Sequence, residues 1–342
     1  MIRRFRKEWK NPHQRKFFFA YLGGKMLGMG AVLGSVAGLS WYFGGTAHAQ
    51  DVPDQVPVEQ LANVINPINT MWVLVAAFLV FFMQAGFMML EAGFARTRET
   101  VNVLLECIVD TAMCGILFWA VGFAFMFGSG SGLIGSEFFF LKDAPATYGT
   151  SGVAFLAFFL FQFAFADTCS TITSGAMVGR TGFKGDLLYS IGVSAFIYPI
   201  IGHWVWGPDG WLYTMDTPFR DFAGSTVVHT VGGFVALAGA IALGPRLGRK
   251  FRRDGGGMPP AHDLTIASLG GVILWFGWYG FNPGSTLSAL DASGIGRVAT
   301  NTTLAAAAGG LSAMAYVYPR LKKWDIGITV NGFLGGLVGI TA

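Results

Sequence analysis

Apolar residues along this chain fall in long unbroken runs, separated by short polar stretches that contain Gly and Pro. The run 71–90 is interrupted only by Gln84. Others cover 103–128, 151–177, 187–206, 222–244, 264–282 and 299–318, and an eighth begins at 326. A helix needs roughly 20 mostly apolar residues to cross a bilayer. Strands of a membrane barrel would alternate apolar and polar positions, and these runs do not. The pattern predicts an all-α polytopic membrane bundle of about eight helices over residues 71–342.

The start of the chain reads differently. Residues 1–26 carry eight Lys or Arg, an apolar stretch over 26–43 follows, and then Ala47-His48-Ala49. A basic start, an apolar middle and a small-residue site describe a signal peptide over 1–49. An uncleaved signal anchor is the other reading. Either way, residues 50–70 are expected as a short periplasmic segment.

Composition narrows the class further. The chain has 342 residues, 53% hydrophobic and 12% charged, against about 25% charged in soluble domains. That excludes an ordinary soluble enzyme, and it excludes disorder, which needs low hydrophobicity and high charge. The 49 glycines suit helices that approach closely in a membrane. Cys107, Cys114 and Cys169 lie in apolar stretches without ligand spacing and read as small buried hydrophobes. No nucleophile–base pair, metal-ligand cluster or dinucleotide loop is present, so neither an enzyme nor a cofactor is expected.

The net charge of +4 is no nucleic-acid signal, but its placement orients the bundle. Twelve Lys or Arg flank the loops after the first, third, fifth and seventh runs, and three (Lys142, Arg220, Arg297) lie in the alternate loops. The positive-inside rule puts the first set in the cytoplasm and the mature N-terminus outside.

Ionisable residues at membrane depth are functional candidates, because lipid cannot solvate them. Glu91 and Glu106 lie near the cytoplasmic ends of the first two helices and read as structural. Asp110, one turn deeper, suits a cap or a pairing with a neighbouring helix. His229 is placed about two turns into the fifth helix. It is either hydrogen-bonded between helices or a pore-lining imidazole able to exchange a proton. Asp221 reads as an N-cap or as a charge favouring a cation in a vestibule. Trp206, ending the fourth run, is an interfacial anchor or a cation–π platform. Phe161, Phe165 and Phe281 suit lipid- or core-facing roles. Ser285 follows the helix-breaking Phe281-Asn282-Pro283-Gly284 and could accept a hydrogen bond from an ammonium-like solute.

At Asp221-Phe222-Ala223-Gly224-Ser225-Thr226-Val227-Val228-His229 the chain resembles the ammonium transporter (Amt/Rh) family, Amt branch. Gly277-Trp278-Tyr279-Gly280-Phe281-Asn282-Pro283-Gly284-Ser285, His203-Trp204-Val205-Trp206, Phe161-Gln162-Phe163-Ala164-Phe165 and Gln84-Ala85-Gly86-Phe87 extend the resemblance, from about residue 60 to the last. It implies an outer ammonium site of Trp206, Ser285 and Phe161, a gate of stacked Phe165 and Phe281, and His229 as the first of two pore histidines. Asp221 would organise the outer site. It further implies ammonium uptake at a bacterial inner membrane, a homotrimer, and contact with a PII-type signalling protein on the cytoplasmic face.

The sequence also departs from the family pattern. The family has about eleven helices, and this chain stops within the eighth run, so it is expected to be a fragment that lacks the second histidine. Asp167 stands where relatives usually carry a small apolar residue. Helical spacing turns it about 200° from Phe165, toward an inter-helix contact or a sensing role. The competing functions are an ammonium sensor fused to a signalling domain and a gas channel of the Rh branch. Trp206 argues against the latter.

Overall fold

The computed structural model describes residues 58–256 and 260–342. The expected signal peptide 1–49 and residues 50–57 lie outside the described residues. Among the described residues, eight helices follow one another: α1 (Val58–Phe94), α2 (Thr97–Phe127), α3 (Phe155–Met177), α4 (Phe183–Trp206), α5 (Ser225–Leu243), α6 (Leu264–Phe281), α7 (Ala292–Leu321) and α8 (Ile326–Ile340). A short antiparallel ribbon, β1 (Thr147–Tyr148) with β2 (Val153–Ala154), precedes α3. The chain is an all-α membrane bundle, as the apolar runs predict.

Among the described residues, the first six helices are long and apolar enough to cross a membrane. Two expectations are adjusted. The seventh span is a helix of 30 residues, but Asn301, Thr302, Thr303 and many small residues keep it out of the apolar set. The first helix begins at Val58 rather than near 71 and continues through Pro67. Its early turns are held by loops: Asn69 donates to the Ser151 carbonyl at 2.8 Å, and Thr70 accepts from the Ala154 N–H at 2.9 Å.

Helix starts are set by carboxylates that collect the otherwise unpaired first N–H groups. Asp263 accepts from Thr265 and Ile266 at α6, Asp291 from Gly294 at α7, and Asp325 from Ile328 at α8. Close crossings need small residues. A Cβ on Gly280 would lie 2.5 Å from the Ala76 carbonyl oxygen, so α6 and α1 touch backbone to backbone there.

α3 is buried along most of its length and packs on α2, α4 and α5. The ends of α1, α3 and α5 meet the start of α6 at one end of the bundle. Arg96 donates to the Leu247 carbonyl, Arg180 to Gly244, and Arg246 to Val178, while the Asp263 N–H reaches Gly93. The basic loops after the first, third and fifth runs are therefore joined by hydrogen bonds. The other end carries an aromatic mass in which Phe123, Phe127, Tyr148, Phe155 and Phe158 contact one another.

Candidate functional site

Asp221 builds the mouth of the site. Its Oδ1 accepts from the Gly224 and Ser225 N–H groups and its Oδ2 from Thr226 and Val227, at 2.8–3.0 Å. Gly224 has φ +106°, a left-handed conformation that glycine adopts without strain. A Cβ there would meet Val228 and the Trp206 ring. The carboxylate and the glycine together start α5 at Ser225, in a wide π turn over Ser225–Thr230. His229 therefore sits in the opening turn of α5, not two turns in. The same turn seats Trp206, whose indole N–H donates to the Asp221 carbonyl at 2.7 Å.

Trp206, Asp221, Phe161, Phe165 and Ser285 line one cavity of about 490 Å³. Ser285 enters from the bend after α6. Its hydroxyl donates to the Phe281 carbonyl at 2.8 Å, so its free lone pairs are acceptors for a donor in the cavity. Asp221 lines the cavity with its oxygens already engaged by backbone, which fits the capping reading. Arg220 also lines it, stacked over Tyr213 at 5.4 Å. Tyr148 donates to the Phe127 carbonyl, and burial, with the Asp209 charge, pushes its phenol above the ordinary value, so it stays neutral.

An unbroken aromatic column leaves the cavity floor. Phe165 lies 4.6 Å from Phe161, 6.1 Å from Trp206 and 4.0 Å from Phe281, with which it is stacked at 21°. Phe281 lies 5.3 Å from the His229 ring, which stacks on Trp278 at 5.0 Å. Phe165, Phe281 and His229 are all buried. His229 Nε2 has no hydrogen-bond partner among the described residues, so that atom makes no inter-helix hydrogen bond.

The Ammonium Transporter Family profile matches residues 71–342. The chain belongs to the ammonium transporter family. Ammonium transporter Amt2 of Archaeoglobus fulgidus is 46% identical over 286 residues, covering 81% of this chain and 59% of that protein. Ammonium transporter 1 member 3 of Solanum lycopersicum is 40% identical over 301 residues, covering 82% and 64%. The chain thus spans less than two thirds of the length of these relatives. Among solved structures, one described as Sensor Amt Protein is 41% identical with a TM-score of 0.77, covering 82% of this chain and 69% of that one. Saccharomyces cerevisiae Mep2 gives 30% and 0.73, covering 82% and 62%. The Archaeoglobus fulgidus and Solanum lycopersicum relatives are both named as ammonium transporters.

Two residues of the site carry no assignment in the sequence reading. Gln162 is buried and lines the cavity, and its Oε1 has no partner. It stands one residue after Phe161, so its exposure to the cavity depends on how α3 is tilted. Trp278 backs His229 and is fixed by a 2.8 Å bond from its indole N–H to Thr341 Oγ1. The apolar setting of both residues in sequence conceals them.

Proposed function

We propose that this protein takes up ammonium across a bacterial inner membrane. Trp206, Ser285 and Phe161 receive the cation in the outer cavity, with the ring face of Trp206 and the Ser285 oxygen as its partners. Phe165 and Phe281 gate the passage below, and His229 offers a hydrogen-bonding stop in an otherwise apolar path. Asp221 organises the mouth through the backbone. The unbroken aromatic column from the cavity to His229 carries this reading.

The physics favours deprotonation at the gate. A bare cation entering an apolar column pays a large desolvation penalty, which disfavours its charged form. Ammonium escapes by releasing a proton and crossing as ammonia, whereas potassium has no such route. The basic end of the bundle faces the cytoplasm in this reading. The family resemblance further implies a homotrimer and a PII-type partner on that face.

The second reading, an ammonium sensor, is favoured by the likeness to a solved structure described as a sensor. Both readings place ligand at Trp206. In the complete protein, Trp206→Leu should weaken methylammonium affinity by about tenfold, on the scale of a desolvated cation–π contact. Unchanged affinity would remove the outer site. Labelled methylammonium crossing a proteoliposome membrane supports the transporter, and binding without crossing supports the sensor.

A further inference from the structure

Away from the aromatic column, α1, α2, α3 and α4 enclose acids that the uptake reading does not use. Glu106 and Asp110 on α2, Asp167 on α3 and Asp186 on α4 are all buried, and Asp167 is 0% exposed. Ser170 donates to Asp110 Oδ1 at 2.8 Å, bridging α3 to α2. α2 packs on both α3 and α4, and the Ser190 hydroxyl of α4 lies beside Asp110 while the Thr111 hydroxyl of α2 lies beside Asp167. The cluster is therefore continuous across three helices. Its approach from the basic end is polar. Partly exposed Glu91 on α1 accepts from Ser174, and exposed Asn102 donates to Glu106 Oε1 at 2.6 Å.

The polar atoms inside are short of partners. Asp186 Oδ2 has no partner among the described residues, and beyond the Ser170 bond Asp110 and Asp167 have at most one neighbouring hydroxyl each, Ser190 and Thr111, in strained geometry. No ion pair among the described residues involves any of these acids. Beside the acids stand neutral groups, Cys107 and Cys114 on α2, Cys169 on α3, and Tyr189 and Tyr198 on α4, with Tyr189 donating to Asp186. The charged Arg98 and Glu99 at the start of α2 and Lys184 at the start of α4 lie at the basic end, and His203 near the far end of α4 bonds the Met126 and Ser131 carbonyls. The acids do not converge as a metal cage among the described residues. Ionised carboxylates cannot remain buried without a counter-charge, and neighbouring carboxyls cannot all ionise together.

We propose that Glu106, Asp110, Asp167 and Asp186 form a proton-binding site, separate from the aromatic column, that exchanges with the basic end of the bundle past Glu91 and Asn102. Its ligand is the proton, held as O–H between carboxyls and hydroxyls. Emptying it sets like charges across the α2–α3 contact. Because α3 also carries Phe161 and Phe165, occupancy of the site biases the gate; this last link rests on the uptake reading.

The test is infrared difference spectroscopy of the complete protein in lipid nanodiscs at neutral pH. A protonated-carboxyl carbonyl band that shifts on deuteration is expected, with part of it lost in Asp167→Asn and part in Asp110→Asn. The amides keep the carboxyl shape, and calorimetry with methylammonium checks that each variant retains its outer cavity. No protonated-carboxyl band in the unmodified protein, or a band unchanged in both variants, overturns the proposal. So does bleaching of the band by added sodium or potassium at fixed pH, which would make the cluster a cation site. Absent methylammonium binding in the unmodified protein would sink the uptake reading while the band still decides the proton site.

Discussion

The two halves of α3 border opposite kinds of environment. Its outer half faces a cavity and an aromatic column where the Asp221 oxygens, the Trp206 N–H and the Ser285 hydroxyl all have partners. Its inner half faces carboxyls short of partners. The contrast teaches that burial alone does not mark the passage. The mouth of the outer half is held by paired groups, although Gln162 Oε1 and His229 Nε2 lack partners among the described residues, so changing it costs stability. The inner half is complementary only with protons added.

Phe281→Ala should break the outer half most severely. Phe281 is fully buried and touches Phe165, His229 and Trp278, so truncation should cost about 3–5 kcal/mol, read as a lowered Tm in detergent. Asp221→Ala comes next. It orphans four backbone N–H groups and unseats Trp206, at about 3 kcal/mol, and methylammonium binding by calorimetry should fall with it. Asp167→Asn should be the smallest. Removing an unpaired buried acid should change stability by less than about 0.5 kcal/mol or raise it. A loss as large as that of Asp221→Ala would erase the distinction between the halves.

Much of this was legible in the sequence, because a bilayer makes span length and apolarity nearly sufficient signals. Trp206, Ser285, Phe161, Phe165 and Asp221 come from four helical regions, yet they line one cavity. The register around His229 was not legible. It depends on the Asp221 carboxylate gathering four N–H groups and on the sign of φ at Gly224, and neither follows from apolar periodicity. The early turns of α1 escaped for a similar reason, since residues 58–70 are mixed in polarity and are held by the loop contacts of Asn69 and Thr70. For the inner acids, the sequence shows depth, and only the packed structure shows that their oxygens are short of partners.

The account turns on ammonium passing the aromatic column where potassium cannot. Fluxes of methylammonium and potassium should be compared in proteoliposomes holding the complete protein or its His229→Ala variant. The prediction is methylammonium uptake without potassium entry, with the rate or the discrimination altered by His229→Ala. Equal passage of both ions, or a variant indistinguishable from the unmodified protein, would contradict it.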